Sequence, residues 1–296
     1  MGKNGFDIHF GLRRQRELYL RPFSFSIQPM YKAVFIDMDG TLLQTDHTVS
    51  EANKKEIKRL LDMGIIVVPI SARPLHGILP ITQQVVPGTM PVVSLNGSYI
   101  FHNGEIIYEA SVDLPEVVSI HQHLVPFDVS VMYYSRMDWF TAKESKLVVK
   151  EQAITTVKIK IQPFESTMEE WRSSNNGPNK ILIAGESALI NNVERQLLNL
   201  HREKLNIYQS QAGYLEVMNL QASKANAIAF LLNQYGLHKG EIIAIGDNYN
   251  DKGMIEFAGI GVAMGNAPDE IKRVADHVTD TNNNDGVAKA LRYFFK

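Results

Sequence analysis

Residues 31–97 alternate between short apolar runs and a segment with one apolar face. The apolar runs are rich in β-branched residues and predict three buried strands: "YKAVFID" (31–37), "IIVVPI" (65–70) and "PVVSLNG" (91–97). Ile57, Leu60 and Leu61 give the segment before Gly64 the apolar face of a helix. Buried strands that alternate with helices are typical of a parallel sheet covered on both faces.

The pattern changes between residues 98 and 220, where strands follow strands. The predicted elements are a hairpin at 98–109, helices at 115–125, 166–174 and 187–204, and strands at 128–134, 139–142, 157–162 and 180–185. Neighbouring strands and paired helices predict an α+β layer rather than further strand–helix–strand units.

The alternating pattern returns after residue 220. A helix is predicted at 223–236, strands at 241–247 and 259–265, and further helices near 251–258 and from 267 onward. The fold class is therefore α/β, a doubly wound, mostly parallel sheet core with an inserted α+β domain. We expect the core at 30–111 and 218–296, the insertion at 112–217, and an N-terminal extension outside the core at 1–29.

Composition narrows the class of protein. The 296 residues have a net charge of −2 and include no Cys. Disulfides, thiolate catalysis and Cys-based zinc sites are thereby excluded, and a near-neutral chain gives no electrostatic reason to bind nucleic acid or anionic membranes. No apolar run approaches the roughly 18 residues of a membrane span, and residues 1–30 show no secretory signal. We therefore expect a cytoplasmic protein.

Polar side chains follow three of the predicted core strands. Asp37 and Asp39 end the first, Ser71 follows the second, and "GDNYND" (246–251), with Asp247, Asn250 and Asp251, ends a later one. The carboxyl ends of parallel strands meet at one edge of a sheet, where ligands bind. Four carboxylates there would repel one another. A Mg²⁺ ion with a substrate phosphate relieves that repulsion, because Mg²⁺ prefers oxygen ligands.

Four motifs in order resemble those of the haloacid dehalogenase-like phosphatases: "DMDGTL" (37–42), "SAR" (71–73), "SKANAI" (223–228) and "GDNYND" (246–251). The long insertion, "LNG" (95–97), "AMGNA" (263–267) and "DGVAKAL" (285–291) are similar to the Cof-type branch, which carries a large α+β cap of the C2 type. One departure is Ala225, which follows Lys224 where a Gly is common.

The resemblance implies roles for the four carboxylates. Asp37 would attack phosphorus and form an aspartyl-phosphate, since a carboxylate can act as a covalent nucleophile. Asp39 would protonate the leaving alcohol and later take a proton from water. Asp37, the backbone carbonyl of Asp39 and Asp247 would hold Mg²⁺, and Asp251 would orient this metal site from behind.

The resemblance also implies a phosphate-binding set. Ser71 and Lys224 would bind phosphoryl oxygens, and backbone N–H groups around Met38 and Ala72 would assist, together with the Asn250 side chain. These residues imply a Mg²⁺-dependent phosphatase acting on a small phosphorylated metabolite. A phosphomutase with the same intermediate is one alternative, and a non-catalytic phosphate-sensing or regulatory protein is another.

Substrate selection is expected in the cap at 112–217. In "YYSRMDWF" (133–140), Arg136 and Asp138 are candidates to bind the leaving group, and Tyr134 or Trp139 to stack on a ring. The alternative is that Tyr134 and Trp139 fill the cap's own core and Arg136 is solvated.

Overall fold

The computed structural model describes residues 30–155 and 157–296, and the predicted extension at 1–29 lies outside this part of the chain. The described strands are β1 (Ala33–Asp37), β2 (Ile66–Ile70), β3 (Val92–Ser94), β4 (Tyr99–His102), β5 (Glu105–Glu109), β6 (Ser130–Ser135), β7 (Asp138–Thr141), β8 (Lys160–Ile161), β9 (Lys180–Ala184), β10 (Leu205–Gln211), β11 (Tyr214–Asn219), β12 (Ile242–Gly246), β13 (Ile260–Ala263) and β14 (His277–Val278). The described α-helices are α1 (Glu51–Asp62), α2 (Leu75–Thr82), α3 (Leu114–Leu124), α4 (Lys146–Thr155), α5 (Phe164–Ser174), α6 (Ser187–His201), α7 (Lys224–Tyr235), α8 (Lys252–Phe257), α9 (Asp269–Val274) and α10 (Gly286–Phe294). These described helices include none that is long and apolar enough to cross a bilayer.

The core sheet has the order β14-β13-β12-β1-β2-β3-β4-β5. Its strands are parallel from β14 to β3, and β4 and β5 pair antiparallel at one edge. Alternate residues of β1 face opposite sides: Val34 and Ile36 pack in a cluster with α1 and α10, whereas Ala33 and Phe35 pack with α7. Helices therefore cover both faces, which confirms the predicted doubly wound α/β core.

The second sheet, in the order β10-β11-β9-β6-β7-β8, lies in the insertion. All its pairs are antiparallel except β7 with β8. Apolar residues of α3, α5 and α6 cover one face and form a core of their own with the strands. The insertion is thus an α+β cap.

Strand β10 is absent from the sequence-based prediction. The helix that was expected to run to residue 204 ends at His201, and Leu205–Gln211 pairs antiparallel with β11 instead. The predicted boundary at 217/218 needs correction as well, because it falls inside β11, all of which belongs to the cap sheet. Strand β3 is shorter than expected, since the chain turns sharply at Leu95–Gly97.

Candidate active site

The carboxyl ends of β1, β2 and β12 meet at one edge of the core sheet. Strand β1 lies between the other two, parallel to both. Asp37 therefore ends the central strand, with Ser71 directly after β2 and Asp247 directly after β12. The structure thus places side by side the three strand ends that the sequence singles out, as the parallel arrangement requires.

A buried triad of charges joins Asp37, Lys224 and Asp251. The Lys224 ammonium donates to Asp37 Oδ1 and to Asp251 Oδ1, both at 2.5 Å. All three side chains are almost fully buried. Lys224 opens α7, whose first turn is capped by the Ser223 hydroxyl. A buried ammonium between two carboxylates offsets part of their mutual repulsion.

Burial and charge oppose each other in this triad. Burial raises the pKa of Asp37 well above its ordinary value, the Asp251 charge raises it further, and Lys224 acts against both. Burial lowers the pKa of Lys224, but the charges of Asp251 and Asp37 outweigh it, so the pKa lies above that of a free lysine. Lys224 is therefore a permanent cation beside Asp37.

Asp247 completes a group of carboxylates that suits a metal ion. Asp37, Asp247 and Asp251 each offer one carboxylate oxygen, and these three oxygens all lie within 4.8 Å of one another. Burial, and then the Asp251 charge, raise the pKa of Asp247 to about 6, although the Thr41 hydroxyl donates to its Oδ1 at 2.9 Å. These carboxylate oxygens are the hard donors that Mg²⁺ takes, and a dication would relieve their repulsion.

Asp251 has both oxygens engaged by the protein. Its Oδ1 accepts from Lys224, and its Oδ2 accepts the backbone N–H groups of Asp247 and Asn248 at 2.9 and 3.0 Å. It therefore fixes the loop that carries Asp247. Gly40 leaves space for that loop, because a Cβ at position 40 would lie 2.3 Å from Asp247 Oδ2.

Asp39 is held by Arg73. The guanidinium donates from Nε to Oδ2 at 2.8 Å and from Nη2 to Oδ1 at 2.5 Å, so both carboxylate oxygens accept. Two parallel bonds give such a pair a fixed geometry. The sequence motif "SAR" contains Arg73, but its partner lies 34 residues away and no local pattern indicates the pair.

The predicted phosphate-binding residues lie around Asp37. Ala72, Lys224 and Asn250 line the cavity described below. Ser71 is fully buried, and its hydroxyl accepts a hydrogen bond from the backbone N–H of Arg73 at 3.1 Å. Met38 lies between the two aspartates, with its side chain buried in the core.

A cavity of about 570 Å³ lies between the core and the cap, and we call it the interdomain cavity. The core contributes one wall: Asp37, Asp39, Ala72, Asn96, Ala222, Ser223, Lys224, Asn248, Tyr249 and Asn250. The cap contributes the other: Asn206, Tyr208, Gln209, Ser210 and Glu216. Sequence reasoning missed this cap wall because it missed β10. The alternation of Leu205 and Ile207 with Asn206 and Tyr208 is the signal that indicates it.

Glu216 is the charged residue that the cap contributes to this wall, and it is 6% exposed. Its Oε2 accepts from the Tyr208 hydroxyl at 3.0 Å and from Asn96 Nδ2 at 3.2 Å, while the Lys180 ammonium lies 3.5 Å from Oε1. Burial, and then the charge of Glu216, raise the pKa of Tyr208 well above its ordinary value. Tyr208 is therefore a neutral hydrogen-bond donor in this wall.

The cap residues predicted from sequence lie elsewhere. Tyr134 and Trp139 oppose each other across β6 and β7 and stack with ring centroids 5.2 Å apart in a buried apolar cluster of the cap. Arg136 pairs with Glu109, and Asp138 pairs with Lys160, both at 2.8 Å. The structure does not bring Tyr134, Arg136 or Asp138 to the interdomain cavity. The antiparallel pairing of β6 and β7 turns the rings of Tyr134 and Trp139 into the cap core, and Arg136 and Asp138 form ion pairs outside the cavity.

Comparison with known proteins identifies the family. Residues 34–291 match the family described as haloacid dehalogenase-like hydrolase. A candidate phosphatase of Haemophilus influenzae is 41% identical over 269 residues, which cover 90% of this chain and 99% of the relative. The 5-amino-6-(5-phospho-D-ribitylamino)uracil phosphatase YcsE of Bacillus subtilis is 31% identical over 263 residues, covering 89% of this chain and 95% of the relative.

A solved structure agrees with these relatives. A haloacid dehalogenase-like hydrolase from Bacteroides thetaiotaomicron superposes with a TM-score of 0.81 at 31% identity, covering 90% of this chain and all of that one. The sequence match extends across both the core and the inserted cap. The chain therefore belongs to the haloacid dehalogenase-like hydrolases and is a phosphatase of the Cof-type branch.

Proposed function

We propose that this protein is a Mg²⁺-dependent phosphatase that hydrolyses a small phosphorylated metabolite through an aspartyl-phosphate on Asp37. The observation that carries the proposal is the Asp37 carboxylate at a strand end, beside the permanent cation of Lys224 and open to the interdomain cavity. A nucleophile next to a fixed positive charge suits attack on an anionic phosphoryl group.

The reaction has two steps. A carboxylate oxygen of Asp37 forms a bond to phosphorus as the bond to the leaving-group oxygen breaks, and Asp39 supplies the proton that the leaving alcohol needs. Water then attacks phosphorus while Asp39 takes a proton from that water. The bond between phosphorus and the Asp37 oxygen breaks, the Asp37 carboxylate is regenerated, and inorganic phosphate leaves. In this structure both oxygens of Asp39 accept from Arg73, so this pair has to separate before Asp39 can contact the leaving group or the attacking water.

The remaining residues bind and position. Lys224, Asn250 and the Ser71 hydroxyl would hold phosphoryl oxygens against Asp37, with backbone N–H groups near Met38 and Ala72. Asp37, the Asp39 carbonyl and Asp247 would hold Mg²⁺, with Asp251 fixing the loop behind them. When bound, the ion would offset the negative charge that these carboxylates and the phosphate bring together.

The cap wall favours a polyhydroxylated leaving group, such as that of a sugar phosphate. Four of its residues are neutral hydrogen-bonding groups, and the charge that it adds, Glu216, is an acceptor. Hydroxyl groups satisfy such a surface, whereas a second phosphate would face a carboxylate. The relative YcsE, named for a substrate with a phosphorylated ribityl chain, gives further support.

Release of inorganic phosphate from p-nitrophenyl phosphate, with Mg²⁺ and with a chelator, tests the class of reaction. We expect turnover with Mg²⁺ and its loss on chelation. Turnover without a bisphosphate activator separates a phosphatase from a phosphomutase. A panel of sugar monophosphates, their bisphosphates and nucleotides then tests the leaving group, and a preference for bisphosphates would contradict the assignment of the cap wall.

A further inference from the structure

The turn at Leu95–Gly97 joins the core to the cap in an unusual way. Leu95, Asn96 and Gly97 have φ of 49°, 55° and 91°, so three successive residues lie in the left-handed region. A leucine there is sterically strained, and it stays only where packing fixes it. Leu95 is fully buried and belongs to the cap's apolar cluster, with Met132, Tyr134 and Trp139. A residue of the core is thus held inside the cap.

The Asn96 side chain connects the two domains by hydrogen bonds. Its Nδ2 donates to the Tyr208 hydroxyl at 2.9 Å and to Glu216 Oε2 at 3.2 Å, both in the cap. Its Oδ1 accepts from Asn250 Nδ2 at 3.0 Å, in the core. A carboxylate only accepts, so Glu216 fixes which end of the Asn96 amide faces the cap and directs the carbonyl oxygen toward Asn250.

The same turn touches two more loops of the site. The backbone N–H of Asn96 donates to the Ser71 carbonyl at 3.0 Å. A Cβ at Gly97 would lie 2.2 Å from the Ser223 carbonyl, directly before Lys224. The turn is therefore packed against the segments that carry Ser71 and Lys224, and its side chain holds Asn250.

We propose that Asn96 is a positioning residue that couples docking of the cap to the binding of phosphate through Asn250. This inference rests on the proposed function. With Tyr208 and Glu216 in place, the Asn96 amide is fixed, and its oxygen holds one of the two N–H groups on Asn250 Nδ2. The second N–H is then oriented for a phosphoryl oxygen. When the cap separates, Asn96 loses its cap partners and Asn250 loses its fixed orientation.

Asn96→Gly tests the role of the amide without straining the turn, because glycine accepts a φ of 55° at no steric cost. Asn103→Gly is the matched control, since Asn103 has a φ of 51° in the exposed turn between β4 and β5. The measurements are kcat/KM on p-nitrophenyl phosphate and the affinity for inorganic phosphate, by inhibition and by calorimetry. We expect Asn96→Gly to lower both about tenfold, the loss of one hydrogen bond to a charged group, and Asn103→Gly to change neither.

A double-mutant cycle with Asn250→Ala identifies the route. If Asn96 acts through Asn250, Asn96→Gly adds less than about twofold to the loss that Asn250→Ala already causes. If the losses of the two single variants multiply in the double variant, the proposal is overturned. A folded Asn96→Gly protein that binds phosphate as tightly as the wild type would overturn it as well. A wild type that releases no phosphate from any ester would refute the proposed function instead, and calorimetry with phosphate would still test Asn96 without turnover.

If Asn96→Gly folds poorly, a second pair of variants tests the same proposal. Asn96→Asp keeps the shape of the side chain and its tolerance of a positive φ, but it sets a carboxylate against Glu216. We expect weaker phosphate binding in Asn96→Asp and recovery when Glu216→Gln supplies a donor in return. Absence of recovery, with both proteins folded, would overturn the proposal.

Discussion

The two walls of the interdomain cavity differ in charge and in origin. The core wall carries Asp37, Asp39 and Lys224 at or beside strand ends, whereas the cap wall carries neutral polar groups and Glu216 on the face of two antiparallel strands. In the core wall, Lys224 donates to Asp37 at 2.5 Å, and Asp39 accepts from Arg73, behind the wall, at 2.5 and 2.8 Å. Under the proposed function, strong, fixed charge lies where the phosphoryl group would react, and neutral hydrogen-bonding groups lie where the leaving group would bind.

The largest effect is expected from Asp37→Asn, which removes the proposed nucleophile from the core wall. We expect activity to fall by at least about 1,000-fold on every substrate. The melting temperature should not fall, because burial already opposes the charge of Asp37. Asp62→Asn, at an exposed site on α1, is the control. Appreciable Mg²⁺-dependent turnover by folded Asp37→Asn would mean that another group attacks phosphorus.

A change at Asp247 should affect metal and activity together. Asp247→Ala should raise the half-saturating Mg²⁺ concentration by about 10–100-fold, and excess Mg²⁺ should restore only part of the activity. Activity measured against Mg²⁺ concentration checks this, with the exposed Asp269→Ala as control. An unchanged Mg²⁺ requirement would place the metal elsewhere.

The cap wall should give effects that depend on the substrate. Glu216→Gln should lower kcat/KM for sugar phosphates about tenfold more than for p-nitrophenyl phosphate. Only the sugar has hydroxyl groups for Glu216 to accept, whereas the loss through Asn96 affects both substrates. Arg136→Ala, outside the cavity, should change neither. Equal losses on both substrates in Glu216→Gln would remove the distinction between the two walls.

The smallest effect concerns the core away from the cavity. Glu56 joins α1 to α10 by accepting from Arg59 at 2.8 Å and from Arg292 at 2.9 Å. Burial raises the pKa of Glu56, but these two arginines outweigh burial and lower it below that of a free glutamate. A lowered folded pKa adds stability that is present above the unfolded pKa, near 4.3–4.5, and is lost as pH falls through the folded value.

Denaturant unfolding between pH 7 and pH 3 tests this pair. The wild type should lose roughly 1 kcal/mol more of its free energy of unfolding than Glu56→Gln across that range. Activity at pH 7 should be the same in both. An identical pH dependence of unfolding would show that the two arginines do not act on Glu56 in solution.

The sequence predicts the core site better than the cap site for a physical reason. Asp37, Asp39 and Asp247 follow apolar strands, and parallel strands bring such ends together by geometry alone. The cap wall depends on the pairing of β10 with β11, and a strand that alternates apolar and polar residues directly after a long amphipathic helix is hard to separate from that helix. Arg73 shows a second limit, because ion pairs between distant segments leave no local pattern.

Aromatic residues illustrate why the predicted cap loop failed to reach the cavity. Tyr134 and Trp139 have the composition of a ring-binding surface, but the register of β6 and β7 sets them opposite each other. As a buried stacked pair they stabilise the cap more than they would at its surface. Composition therefore cannot assign them without knowledge of the register.

The two chain crossings between core and cap lie side by side. Asn219 Nδ2 donates to the Ser111 carbonyl at 2.9 Å, and the Tyr108 hydroxyl donates to the Gln221 carbonyl at 3.2 Å. An insertion whose ends meet costs its host little loop-closure entropy, whatever its length. A different cap with the same closely spaced ends could therefore replace this one at little entropic cost to the core, provided that it still receives the Leu95 side chain and holds the Asn96 amide.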